Sequence, residues 1–468
     1  MVKENSNQER VTLLVVTGTA FLVPFIGSAI NLALPLLGEE YNSSALLLGW
    51  VVTAYLLATA ALLLPFGRLA DIIGRRKVFL TGLGFFTLVS LLCSLATSTE
   101  MLVALRLLQG IAAAMIFSTS TAILTSVYPP ARMGKALGMT VASTYTGLSL
   151  GPVLGGWMNH NWGWRSLFYF IVVISLAVTI STAVWLKGEW RGAEGERYDL
   201  TGALLYVVGL TAFLYGVSSL SSSTWGWYAA GLGVVCLGFF VWFELGQEHP
   251  LIRMKLFVEN IPFAFSNLAA MINYSATFGL GFLLSIYLQV IMGYSSQTAG
   301  MILLSQPLMM ALLSPLAGSL SDRIEPYKVA TTGMLLTAVG MFVFLFLNQQ
   351  TTMYLVIPNL ALIGLGFALF SSPNTNAVMS SVSPRLYGIA SSTLGTMRNV
   401  GQAVSMAIVT LIMAAYLGQA QLSQVAPEVL MSTVHTAFLI FFILCCLGVV
   451  ASAARGRKND AEPQKSAA

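Results

Sequence analysis

Charged residues are rare and unevenly spaced along this chain, and the uncharged intervals between them decide what it can fold into. A helix needs about 20 mostly apolar residues to cross the ~30 Å hydrocarbon layer of a bilayer, and a charge inside that layer is costly. The stretches from Arg10 to Glu39, Glu40 to Arg68, Lys77 to Glu100, Lys135 to Arg165 and Arg165 to Lys187 each enclose one such span. The stretch from Glu100 to Arg132 encloses another, with only Arg106 inside it. Longer intervals must double back. The interval from Asp199 to Glu244 breaks at 218–224, that from Glu259 to Asp322 at 293–297, and that from Lys328 to Arg385 at 348–352, each a run of turn-forming residues. The stretch from Arg385 to Glu428, interrupted by Arg398, and that from Glu428 to Arg455 supply the last two spans. The expected fold is therefore all-α and polytopic, with fourteen transmembrane helices.

Composition excludes the alternatives. Only 9% of the 468 residues are charged and 56% are hydrophobic, against roughly 25% charged in a soluble domain. The formal charge of +5 could point to nucleic acid, but the positions of the basic residues say otherwise. With the N-terminus in the cytoplasm, every Lys and Arg except Arg106, Arg165 and Arg398 falls in a cytoplasmic loop or tail. Both termini are thus expected to be cytoplasmic, and the positive balance is a topology signal. The polar first ten residues and the long first apolar run argue against a cleaved signal peptide. Cys93, Cys236, Cys445 and Cys446 lack metal-ligand spacing, and there is no phosphate-binding glycine loop or nucleophile arrangement. No metal, no cofactor and no enzymatic activity are expected.

Three motifs carry functional information. Gly67, Asp71, Gly74, Arg75 and Arg76 lie in a short loop between spans two and three, echoed by Gly318, Asp322 and Arg323 between spans ten and eleven. If the loops are equivalent, the chain is a parallel repeat: six helices over 11–187 and six over 261–454, with an inserted pair and its linkers at 188–260 and short cytoplasmic tails at 1–10 and 455–468. Arg106, Gln109 and Gly110 put a fixed cation inside span four. Gly147, Gly151 and Gly155 recur at every fourth position of span five, with Pro152 and Gly156 beside them, giving a smooth face for close helix contact and a point of bending.

Together these segments resemble the fourteen-helix drug:proton antiporter group of the major facilitator superfamily over nearly the whole chain. The loop at Gly67 resembles motif A, the segment 106–110 motif B and the segment 147–156 the antiporter motif C. The resemblance implies two six-helix bundles plus two inserted helices, working by alternating access to export amphipathic drugs or other small molecules in exchange for protons. It also implies roles: a gate for Asp71 with Arg75, coupling or substrate access for Arg106, and a hinge for the glycine face. A small-molecule substrate, protons and the lipid bilayer are the expected partners, with the protein a monomer in a prokaryotic inner membrane.

One departure bears on mechanism. The group usually carries an acidic residue in the first helix, a few positions before an Asn-x-Ala-Leu-Pro element; here the element begins at Asn31 but Phe25, Ile26, Gly27 and Ser28 precede it. None of the eighteen acidic residues falls near the middle of a span, whereas Arg106 and Arg398 do. The competing expectation is a proton-independent carrier or a symporter for an organic anion or metabolite; a third is a non-transporting membrane sensor. Asn31, Tyr55, Tyr145, Asn273, Tyr274, Asn374 and Arg398 are the candidates to line a substrate cavity.

Overall fold

The computed structural model describes residues 2–248, 250–383 and 386–455, apart from the side chains of 2–7, 130, 131, 134, 135, 322 and 388. The expectations attached to Lys135, Asp322, Arg385 and the 456–468 tail fall outside the described residues or side chains.

Helix α1 (Val2–Ala29) runs through a tight turn at Ile30–Ala33 into α2 (Leu34–Glu40), and α3 (Ala45–Ile73), α4 (Arg75–Ser94), α5 (Thr99–Val127), α6 (Pro130–Trp162) and α7 (Arg165–Trp185) follow. The inserted pair is α8 (Leu200–Ser219) and α9 (Trp225–Glu244), and the short α10 (Lys255–Glu259) leads onward. The second half contains α11 (Ile261–Thr277), α12 (Gly279–Ile286), α13 (Ser296–Leu303), α14 (Ser305–Arg323), α15 (Pro326–Phe344), α16 (Met353–Ser380), α17 (Tyr387–Tyr416) and α18 (Pro427–Ala453). The turns at 220–224, 292–295 and 345–352 coincide with the polar breaks read from the sequence.

Local chemistry sets the helix ends. Ser44, Ser98, Asn260 and Ser295 each cap a helix by accepting from the N–H three residues on. Gly74 ends α3 at φ 125°, in the region that favours glycine.

Among the described residues, thirteen helical stretches are long and apolar enough to cross a bilayer. The remaining long helix, α6, has 33 residues and is less apolar because Gly138, Thr140, Ser143, Thr144, Thr146, Gly147 and Ser149 crowd its middle. That composition suits a helix packed on neighbours rather than one facing lipid.

The two halves pack alike, helix for helix. In the first, α1 packs on α6 and α7, α3 on α5, and α4 on α5 and α7. In the second, α11 packs on α17 and α18, α14 on α16, and α15 on α16 and α18. The repeat suggested by the Gly67 and Gly318 loops is therefore present in the packing. The halves meet where α3 touches α17 and where α6 touches α13 and α14, two contacts that exchange with each other under the same pseudo-twofold correspondence. The inserted pair breaks the symmetry by lying along only one seam, where α8 packs on both α3 and α17.

Candidate functional site

The two arginines at membrane depth are held differently. Arg106, on α5, is fully buried. Its Nε donates to the Val51 carbonyl of α3 at 3.1 Å, its Nη1 donates to Gln109 Oε1 at 2.5 Å, and its guanidinium lies 4.2 Å from the centroid of the Tyr55 ring. Gln109 passes the chain on by donating to Ser90 Oγ of α4 at 2.8 Å. Gly110 makes the crossing possible, since a Cβ there would overlap the Tyr55 carbonyl. No carboxylate belongs to this set, and Arg106 Nη2 and the Tyr55 hydroxyl have no partner. The cluster is enclosed by α3, α4 and α5 of one bundle.

Arg398, on α17, is half-buried, and its Nη2 donates to Thr375 Oγ1 of α16 at 2.6 Å while its Nε stays unpartnered. Its guanidinium lies 5.8 Å from the centroid of Tyr274, which meets Phe367 edge-on at 5.2 Å. Tyr145, Met310 and Phe367 form a buried cluster with Leu148, Tyr274 and Ala311 against it. That cluster draws α6 from one bundle and α11, α14 and α16 from the other, so it lies between them at mid-depth. Aromatic faces, a flexible thioether and a fixed cation suit a ligand with a flat apolar body and a neutral or negative polar group.

The other cavity candidates lie elsewhere. Asn31 sits at the bundle interface, its carbonyl accepting from Ser285 Oγ of α12 at 2.7 Å, while its Oδ1 has no partner. Asn273 is fully buried with its Nδ2 3.0 Å from Met334 Sδ of α15, and Asn374 donates to the Ser266 carbonyl of α11 at 3.2 Å. Both are enclosed within the second bundle. Thus Tyr145, Tyr274 and Arg398 come together, Asn31 stands apart on the same interface, and Tyr55, Asn273 and Asn374 are packed inside single bundles.

The glycine-rich segment of α6 has two working faces. A Cβ at Gly147 would overlap the Phe21 carbonyl, one at Gly151 would overlap Ser28 Oγ, and one at Gly155 would sit 2.6 Å from Ala29 Cβ, so these three residues seat α6 on α1. Gly156 and Pro152 turn the other way: a Cβ at Gly156 would overlap the Ser296 carbonyl, and one at Gly300 would overlap the Pro152 carbonyl. The second face is a contact between bundles. It is matched on the other seam by Thr53 and Thr410, whose buried hydroxyls are 2.9 Å apart, and by Ala45 N donating to the Ala420 carbonyl at 3.0 Å.

All of these contacts lie on the side of the molecule away from the Gly67 loop. That loop is bound within its own half and to the linker that follows α7. Asp71 accepts from Arg75 Nε at 2.7 Å, and Arg75 Nη1 donates to Ser126 Oγ at 2.8 Å. Arg75 N donates to the Trp190 carbonyl, Ala193 N to the Asp71 carbonyl, and Arg76 N to Glu189 Oε1. Glu189 fills the space where a side chain on Gly74 would be, and Arg68 pairs with Glu196. Among the described residues no hydrogen bond or ion pair joins this loop to the second bundle. Arg323 is exposed at the end of α14.

Sequence reasoning passed over Ser296, Gly300, Thr53, Thr410, Met310 and Phe367. Gly300 alone carried a signal, a small residue inside a helix; the others are ordinary residues of an apolar span whose facing direction hydropathy does not give.

Comparison with known proteins agrees with this architecture. The model of the Major Facilitator Superfamily matches residues 16–251 and 267–468. The chain is 27% identical over 456 residues to the riboflavin transporter RibZ of Clostridioides difficile, covering 97% of this chain and 99% of that protein. It is 30% identical over 421 residues to the multidrug resistance protein Stp of Mycobacterium tuberculosis, covering 88% and 77% respectively. Among solved structures, a bacterial homologue of the human lysosomal transporter Spinster, in an inward-facing and unoccupied conformation, superposes with a TM-score of 0.69 at 15% identity, covering 96% of this chain and 97% of that one. With its paired six-helix bundles and inserted helices, this multi-pass membrane protein is a transporter rather than an enzyme and belongs to the major facilitator superfamily.

Proposed function

We propose that the protein moves amphipathic small molecules out of the cell by alternating access, with residues 11–187 and 261–454 rocking as two bodies about the α3–α17 and α6–α13 seams. Both termini and the Gly67 loop are placed in the cytoplasm, on the positive-inside distribution of Lys and Arg, in a bacterial inner membrane. On that assignment the bundles are closed on the outside, and among the described residues no hydrogen bond or ion pair joins the Asp71 and Arg75 gate to the second bundle. The observation that carries the reading is the aromatic cluster of Tyr145, Tyr274 and Phe367 between the bundles, with Arg398 5.8 Å from Tyr274 and no carboxylate beside it among the described residues.

Those groups favour neutral or anionic amphiphiles over lipophilic cations, because an arginine repels a cation and offers a fork of donors to an anion. One relative is named for riboflavin and another for multidrug resistance, and both names fit a carrier of small organic molecules. Exchange for protons is the mode the family resemblance implies, and it is the second reading here, since among the described residues the central site holds no acid to carry one. Purified protein in proteoliposomes decides between them. Flux of organic anions or neutral amphiphiles, reduced in R398A and Y274A, is the expected result. Proton-driven export of lipophilic dications, untouched by R398A, overturns it.

A further inference from the structure

The inserted helix pair contains a carboxylate pair that the transport reading does not use. Asp199 stands immediately before α8, and its Oδ1 accepts from Gly202 N at 2.8 Å. Glu244, the last residue of α9, is 2% exposed. Its Oε2 accepts from Ile252 N at 3.4 Å. The remaining oxygens, Asp199 Oδ2 and Glu244 Oε1, are both buried and both without a partner. They point into the same gap. A Cβ built on Gly202 would overlap Asp199 Oδ2 and come within 2.5 Å of Glu244 Oε1, so the glycine leaves room for the two oxygens to approach. Two carboxylates this close, within the ~4–6 Å range over which like charges suppress ionisation, cannot both be charged cheaply, and neither can donate a hydrogen bond to the other.

Among the described residues no cation pairs with either carboxyl: Arg197, two residues before Asp199, is exposed, and His249, on the connection after α9, lies outside the described residues. Tyr198, which precedes Asp199, donates to the Pro65 carbonyl at 3.4 Å. Arg68, on α3, pairs through Nη2 with Glu196, and its Nε is buried without a partner. Glu248 and Arg253, on the connection after α9, are exposed.

We propose that Asp199 and Glu244 share one proton and so form a proton-binding clasp at the base of the inserted pair. The proton makes one group a donor and the other an acceptor, which satisfies both orphaned oxygens at once. Its loss takes the pair from one negative charge to two and replaces the hydrogen bond by repulsion. Asp199 is partly exposed, so the proton exchanges with the aqueous phase on that side. The clasp has mechanical leverage because of what it joins. Residues 186–199 are the linker docked on the Gly67 loop, and 245–254 is the connection that enters the second bundle. A protonated pair holds the two together; a deprotonated pair releases 245–254 first, since Glu244 anchors it through the Ile252 N–H group.

Hydrogen exchange on the full-length protein in detergent tests this, with rates corrected for the intrinsic pH dependence of exchange. In the native protein, protection of 245–254 should fall as pH rises through the titration of the pair, by roughly tenfold for each unit of pKa difference between clasped and released forms. In E244Q the amide donates to Asp199 at every pH, so protection should stay high and flat. D199N should behave likewise while keeping the cap on α8, which carries the test should E244Q fail to fold. The same pH dependence in all three proteins, or a flat profile in the native one, overturns the proposal. Protection that rises on adding Na⁺ or Ca²⁺ at fixed pH also overturns it, by making the pair a metal-ion site.

Discussion

The Arg106 guanidinium lies 4.2 Å from the centroid of the Tyr55 ring, and the Tyr55 hydroxyl makes no hydrogen bond. The ring face, not the phenol, is therefore what the arginine uses, along with the Val51 carbonyl and Gln109. Y55F should keep both fold and transport close to native. R106K keeps the charge but loses the fork that reaches Val51 and Gln109 together, and should lower thermal stability in detergent by about 1–3 kcal/mol as buried acceptors go unpaired. Equal stability of R106K and the native protein would show that the cation is not a structural tie.

Much of this architecture was legible because the bilayer imposes a simple rule: charge ends a helix. The three hairpin turns, the parallel repeat and the confinement of Arg106 to a span all follow from where charges and turn residues fall. What a helix presents to which neighbour was not legible. Asn273 and Asn374 are polar residues at membrane depth, as Tyr145 and Tyr274 are, yet they turn into the second bundle while the tyrosines meet between the bundles. In a span apolar all round, periodicity carries no direction. The Asp199 and Glu244 pair was equally hidden, since sequence placed each at a helix end and only folding of the hairpin brings those ends together.

The two faces of α6 separate packing within one bundle from contact between bundles. G151A would force a methyl onto Ser28 Oγ, within one bundle, and should cost stability; S28A should restore part of the loss by removing the clashing atom. G156A would instead press on the Ser296 carbonyl, across the bundles. In the proposed cycle that strain exists only while this seam is shut, so G156A should shift the population toward the form in which the seam is open, with a smaller loss of overall stability. Labelling of a cysteine placed on the outer half of α13 would read the shift; a G156A protein labelled no faster than the parent argues against a moving seam.

Asp71 offers a sharper contrast between stability and function. Its ion pair with Arg75 is partly exposed, with side chains 34% and 19% accessible, and pairs of this kind contribute about 0–1 kcal/mol. D71N should therefore leave the melting temperature almost unchanged. If the loop engages the second bundle in the other half of the cycle, the same variant should reduce flux in proteoliposomes at least several-fold. Transport at the native rate would remove Asp71 from the gate.

Thr53 and Thr410 provide the most direct test of rocking. Their hydroxyls are 2.9 Å apart, one on α3 and one on α17, and both residues are buried at the seam away from the Gly67 loop. Sulfur atoms in the same positions need only small rotations to reach a disulfide separation of about 2.05 Å. In the double variant T53C/T410C, oxidation should join the bundles in the present arrangement and stop transport, and reductant should restore it. The single-cysteine variants, treated alike, should keep their activity, which separates locking from thiol damage. Because an alternating-access cycle must part these residues once per turnover, a fully crosslinked protein that still carries substrate would rule that cycle out.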